Sequence, residues 1–355
     1  MGLYHPIETL SATPGKVSVV EPFNDDKIVP RMIKAYQHSE EQQLGNSMWQ
    51  RFFYNFAAPI DTVFKSGQID QAAQILREPG SNNLFYGIDN LSYCLLWWLN
   101  NERGAHGYAT DCLDVLISFA ELSGCIENNP DADNSSAPLS ADQVIRAIKK
   151  KFGDQITFPN PYPNEQGLQS SYGVISERVP QALYQAWKIK ELVKGIPNPR
   201  VLEIGAGVGR TAFYARQLGI ADYTIVDLPI TSLASGYFLA RSIGENNILF
   251  SGETGLNMEQ KIKMMTPQEY FTSSNKYDLI VNVDSLIEMD VNIALMYLNK
   301  IKQDSSMFLS INNELGAFSF NQLIWKIDNI KKVERLDYPI RDTYFEEVVY
   351  FVKND

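Results

Sequence analysis

The stretch VLEIGAGVGRT, residues 201–211, carries the densest chemistry in the chain. An apolar run enters it, and Gly205, Gly207 and Gly209 follow at alternate positions before the pattern turns helical. Glycine at 205 and 207 permits tight dihedrals and lets a ligand approach the backbone, while Gly209 lets the following helix pack close to the strand. Alone, such a loop is a weak signal. A strand before it, a helix after it and an acid, Asp227, ending the next strand-like run make it a candidate nucleotide site.

Charge selects the ligand. The dinucleotide fingerprint needs glycine at 210, where this chain has Arg210. Glu203 stands just ahead of the turn, near where a pyrophosphate would meet the helix N-terminus. A carboxylate is a poor neighbour for two phosphates and a good one for an ammonium or a sulfonium. S-adenosylmethionine (SAM) offers both cations and no phosphate, and Asp227 would accept its ribose hydroxyls as the acid does in dinucleotide sites. Blander readings compete singly: Glu203 facing solvent, Asp227 capping the helix after Pro229, and a generic strand-to-helix turn. All three features in register favour SAM over NAD.

The elements that must position these residues alternate. Strand-like runs at 200–204, 223–227, 247–250, 277–283 and 306–312 are separated mostly by helical stretches such as TAFYARQLG, ITSLASGYFLARSIG and VNIALMYLNKIKQ. This alternation predicts a parallel sheet covered on both faces. KKVERLDYPI and FEEVVYFVK predict an antiparallel pair closing one edge. Before residue 165 the pattern is helical, with Gly45, Gly67, Gly80 and Gly124 at helix stops. Glu127–Asp142 reads as an exposed loop and Phe158–Gly167 as a proline-punctuated linker. The expected organisation is a helical N-terminal domain, 1–165, for acceptor selection or dimerisation, and a cofactor-binding domain, 166–355.

Val201–Arg210 with Asp227-Leu228-Pro229 resembles motif I and the second-strand motif of class I SAM-dependent methyltransferases, over about residues 168–355. The resemblance implies a Rossmann-like α/β sheet, mostly parallel with an antiparallel C-terminal strand. EIGAGVGR, the IVDLP phrase ahead of Gly236-Tyr237-Phe238-Leu239, and NVDSLIEMD resemble a narrower group, the sugar O-methyltransferases of bacterial surface-polysaccharide synthesis. That implies methylation of a sugar or glycan hydroxyl. Carried onto this sequence, the class resemblance places Glu203, Gly205, Ala206 and Gly207 around the methionine part of SAM, and Asp227 and Leu228 at its ribose and adenine. It makes Tyr172 and Arg178, in SSYGVISERVP, candidates in a segment folded over the cofactor, with Glu253 an adenine-side candidate beyond the third strand.

Open α/β sheets bind ligands beyond the carboxyl ends of their strands, where strand order reverses. In this class that point lies between the first and fourth strands, which brings Asp284, Ser285 and Glu288 to the methyl group. A protonated hydroxyl is a poor nucleophile, so a general base is expected. All three histidines, His5, His38 and His106, fall in the N-terminal half, leaving a carboxylate or His106 borrowed across the interface. Asp284 and Glu288, four apart, share a face of any helix starting there. They would serve as base and orienter, or bind a divalent metal with a third ligand. The alternative is an N-cap at Asp284-Ser285 with Glu288 in the first turn. NERGAHGY, residues 101–108, reads as a polar turn, and Trp97 and Trp98 as core or a sugar platform. Asn312-Asn313-Glu314 and Arg341-Asp342 either reach the mouth of the site or form plain loops.

Composition bounds the rest. Over 355 residues, 31 Lys and Arg against 42 Asp and Glu leave a net charge of −11, which excludes a global field for nucleic acid. Cys94, Cys112 and Cys125 form no CxxC pair, as expected in a reducing compartment. The N-terminus lacks a signal-peptide pattern, and the run Leu91–Asn100 is too short to span a bilayer, so a cytoplasmic protein without membrane insertion is expected. The alternatives to sugar methylation are another small-molecule acceptor, an NAD-dependent oxidoreductase, and a non-catalytic SAM-fold interaction protein.

Overall fold

The apolar runs beyond residue 199 form strands whose side chains are buried on both faces, as covered parallel strands require. The computed structural model describes residues 12–14, 17–20, 23–39, 47–89, 102–127, 139–316 and 318–352. A small antiparallel sheet joins β1 (Ala12–Pro14), β2 (Gln166–Ser170) and β3 (Gly173–Ile175). The main sheet holds β4 (Arg200–Ile204), β5 (Asp222–Val226), β6 (Ile248–Leu249), β7 (Ile262–Met265), β8 (Leu279–Val283), β9 (Met307–Asn313), β10 (Ile330–Asp337) and β11 (Tyr344–Phe351). Its order is β10-β11-β9-β8-β4-β5-β7-β6, parallel except where β11 pairs antiparallel with both β9 and β10. Strand order therefore reverses between β4 and β8. This is the Rossmann-like α/β sheet of class I methyltransferases, with the antiparallel closing pair that the tail sequence predicts.

One expected strand is displaced. The run 247–250 was expected as the third strand, but it contributes only the edge stub β6. β7 inserts between that stub and β5. Its sequence, Ile-Lys-Met-Met, has one β-branched residue and so carries little strand signal. Glu253 consequently leaves the adenine side. Its carboxylate is gripped by Arg31, at 2.8 Å from Nε and 2.7 Å from Nη2, and fastens an N-terminal helix to the sheet edge.

The helices are α1 (Asp25–His38), α2 (Met48–Phe52), α3 (Ala58–Ser66), α4 (Ile69–Arg77), α5 (Glu102–Leu122), α6 (Ala141–Phe152), α7 (Arg178–Leu192), α8 (Arg210–Gln217), α9 (Pro229–Ile243), α10 (Pro267–Thr272), α11 (Val291–Asp304) and α12 (Phe320–Ile324). A π-helical segment, Phe53–Ala57, joins α2 to α3. The expected stops at Gly67 and Gly124 are present, each glycine with positive φ. Residues 102–108 form the first turns of α5 rather than a polar turn, because an apolar stripe from Tyr108 to Phe119 carries the helix into the core. The expected loop 127–142 ends at Ser140, whose hydroxyl caps α6 in a capping box with Gln143. His5, Gly45, Cys94, Trp97 and Trp98 lie outside the described residues. Among the described residues, no helix is long and apolar enough to cross a membrane.

The N-terminal helices pack directly on the sheet's helical cover. One apolar cluster runs from Ile28 and Phe64 through Leu116 to Val201 and Ile225. The Tyr237 hydroxyl of α9 donates to Asp25 at the start of α1, at 2.8 Å. This packing brings α2 and residues 87–89 to the carboxyl end of the sheet.

Candidate active site

The glycine turn leaves β4 through three left-handed residues, with φ of +75° at Gly205, +57° at Gly207 and +85° at Gly209. Glycine takes such dihedrals without strain, whereas most other residues do not. Space is equally restrictive, since a Cβ on Gly205 would sit 2.1 Å from the Ser285 Oγ. A Cβ on Gly209 would approach Ser235 and Leu239 at 3.2 Å, so this glycine serves the contact of α8 with α9 and not, as expected, with the strand.

The loop after β8 is tied to the end of β4. Asn282 Nδ2 and Ser285 Oγ each donate to the Ile204 carbonyl at 2.9 Å, and Asn312 donates to Asn282 at 3.0 Å. Asp284 has φ of +59°, and a single 3₁₀ turn, Leu286–Glu288, follows it. No α-helix begins at Asp284. The helix waits until Val291, where Asp290 is the cap. The fourfold spacing of Asp284 and Glu288 is thus set by a strained turn, and neither the shared helix face nor the N-cap reading describes it.

A cavity of about 770 Å³ opens over this reversal point. Arg178, Glu203, Gly205, Ala206, Gly207, Asp227, Leu228, Asp284 and Glu288 all line it. Tyr172 does not. It sits in the turn between β2 and β3 with the Lys149 ammonium 5.9 Å from its ring centroid, because the hairpin faces α6 rather than the sheet. His106 also lies off the cavity, and among the described residues no histidine lines it. Among the described residues there is also no group of three or more His, Cys, Asp or Glu side chains arranged to hold a metal.

The cavity concentrates carboxyl groups. Glu203 is 1% exposed and accepts from the Tyr223 hydroxyl at 2.9 Å; burial pushes its pKa up to about 7. Asp227 accepts from the Gly207 and Leu228 amides at 3.1 and 2.8 Å, yet burial still raises it to about 7. Glu288 is raised to about 8, again by burial, with the neighbouring charge of Asp284 adding to the effect. Desolvation penalises the ionised form of each group, so each favours an incoming cation. Asp284 instead has cations beside it, with Arg341 at 3.1 Å and Arg178 at 4.0 Å from the same oxygen.

Arg210 also stands in the cavity wall, but its guanidinium is committed within the protein. It is buried between Asp89 at 3.0 Å and Glu165 at 2.9 Å, with the Phe238 ring beneath it at 5.1 Å. Neither this triad nor Trp49, which reaches the cavity from α2 and donates to Glu288, is legible in the sequence. No local pattern marks either arrangement, since the partners lie far apart in the chain. Arg341, a position the sequence left open, is brought to the mouth.

No family model and no curated protein sequence matches the chain. Among solved structures, a putative O-methyltransferase from Nostoc punctiforme PCC 73102 is similar at 15% identity over 68% of this chain and 73% of that one, with a TM-score of 0.38. The glycopeptide N-methyltransferase MtfA, complexed with S-adenosylhomocysteine, is 11% identical over 47% and 89%, with a TM-score of 0.36. The CcbJ methyltransferase from Streptomyces caelestis is 11% identical over 49% and 90%, with a TM-score of 0.37. At such identities and scores, the fold of this chain rests on its own strand order.

Proposed function

We propose that this chain is a SAM-dependent methyltransferase and that its acceptor is a hydroxyl of a sugar or glycan. The observation that carries the cofactor is the set of carboxyl groups, buried Glu203 and Asp227 with half-buried Glu288, around a glycine turn at the β4–β8 reversal. A sulfonium and an ammonium suit this set, and a pyrophosphate does not. The donor chemistry fits. Asp227 gathers donors from the Gly207, Leu228 and Ala206 amides and the Thr231 hydroxyl, and ribose hydroxyls would take the place of some of these on its oxygens. Leu228 and Phe271 offer apolar surface to a planar base, and Arg178 offers a cation to a carboxylate. Glu203, Gly205, Ala206 and Gly207 would hold the amino-acid end. When bound, the cofactor would supply a methyl group on a good thioether leaving group.

The chain's own task is then to orient the acceptor and receive its proton. Asp284 and Glu288 are the candidates. The sugar assignment rests on the resemblance of EIGAGVGR, IVDLP and NVDSLIEMD described above. Ser47, Trp49 and Asp89 line the cavity, which supports a role for the N-terminal half in acceptor selection.

Calorimetric titration of the purified chain with SAM, S-adenosylhomocysteine and NADH tests the cofactor. Micromolar binding of the first two and none of NADH is expected. Binding of NADH alone, or of none of the three, overturns the reading. Methyl transfer from radiolabelled SAM to a panel of nucleotide sugars, set against phenols and amines, tests the acceptor.

A further inference from the structure

Trp49 and Glu288 are 239 residues apart and meet inside the cavity, where the indole Nε1 donates to the Glu288 Oε2 at 2.9 Å. The indole is set from the N-terminal side. It packs edge-on against Phe52 at 5.2 Å, and Phe52 stacks on Tyr86 at 5.7 Å. Glu288 itself sits on the 3₁₀ turn after β8. Two unrelated parts of the chain therefore fix one carboxyl group beside the glycine turn. Asp284 is differently committed, because its Oδ2 is directed at Arg341 and Arg178.

We infer that Trp49 is the positioning residue for Glu288, and that Glu288 rather than Asp284 takes the proton of the acceptor hydroxyl. The inference rests on the methyltransferase reading. The O–H bond of the acceptor breaks, its proton moves to a Glu288 oxygen, and its electron pair stays on the attacking oxygen. Asp284, paired with the arginines, holds the loop and the mouth of the cavity. A base works best with a pKa near the operating pH. Besides burial, the groups acting on Glu288 are Asp284 and Asp227, which raise its proton affinity, and Arg178 and the Trp49 indole, which lower it. Trp49 thereby sets both the direction of the carboxylate and how readily it releases its proton. A donor from the N-terminal segment completes a site that the sheet alone leaves without it.

The test reads Glu288 directly in the unliganded protein, through its ¹³Cδ resonance assigned by loss of the signal in Glu288→Gln. A midpoint near 8 is expected, with an indole N–H resonance following the same curve. That indole resonance should vanish in Trp49→Phe and cease to titrate in Glu288→Gln. In Trp49→Phe the Glu288 midpoint should rise by about one pH unit, the worth of a hydrogen bond to a charged group. An unchanged midpoint in that variant overturns the inference, as does titration of wild-type Glu288 in the ordinary carboxylate range. If Trp49→Phe fails to fold, the wild-type curves still decide, because an indole resonance that does not follow Glu288 refutes the pairing. SAM affinity, measured separately by calorimetry, reports on the methyltransferase reading alone.

Discussion

At the scale of single residues, the cavity is defined by carboxyl groups that burial makes reluctant to ionise. Glu203 and Asp227 titrate near 7, so at pH 6 most of each is protonated and at pH 8 most is ionised. A cationic ligand draws on the ionised forms. SAM affinity is therefore expected to rise about tenfold for each group engaged between pH 6 and pH 8. Calorimetry across that range checks it, and Asp227→Asn should flatten the slope as well as weaken binding. For the acid–base pair, Glu288→Gln should abolish methyl transfer. Asp284→Asn should lower it while keeping the rise with pH that Glu288 imposes. A pH profile flat in Asp284→Asn and intact in Glu288→Gln would reverse the two roles.

At the scale of elements, two connections build the site: the glycine turn after β4 and the turn after β8. They interlock, with Ser285 and Asn282 bonded to the Ile204 carbonyl and Gly205 against Ser285. Gly205→Ala adds a Cβ where there is no room and at a φ of +75°, so it should cost about 1–3 kcal/mol and lower the melting temperature. Asn282→Leu should cost a similar amount, about 1–3 kcal/mol, because the buried Ile204 carbonyl loses one donor and Asn312 one of its two acceptors. Thermal unfolding of each variant measures this. The glycine turn was legible in the sequence because its chemistry is local and its residue types are nearly obligatory. β7 was not, since four residues with little β propensity are held by their neighbours in the sheet rather than by preference.

At the scale of the whole molecule, Arg210 joins three separated segments, with Asp89 from the N-terminal half and Glu165 from the approach to β2. Removing the cation from such a buried cluster takes away the charge that Asp89 and Glu165 share. Arg210→Met should destabilise by about 3–5 kcal/mol, and adding Asp89→Asn and Glu165→Gln should recover part of the loss. Denaturant unfolding of the single and triple variants checks it. The raised carboxyls also set the pH dependence of the unliganded fold. In the window from the unfolded values near 4 up to about 8, the folded state binds more protons at Glu203, Asp227 and Glu288 than the unfolded state does. Stability from these groups therefore falls as pH rises through that window. The melting temperature without ligand should be lower at pH 8.5 than at pH 6, and SAM should narrow the gap.

The sequence alone determined the alternating α/β pattern, the antiparallel closing pair, the glycine turn and the acids that end the strands. Each is written in neighbouring residues, where periodicity and dihedral need leave a direct mark. Only the tertiary structure decided what surrounds those acids. Trp49 meets Glu288 across 239 residues, and Arg210, in the cavity wall, is held between two distant carboxylates. Tyr172 and Glu253 likewise depend on which distant element they face, α6 for one and α1 for the other. Burial does the rest, since the proton affinity of a carboxyl group depends on how much water the whole fold removes from it.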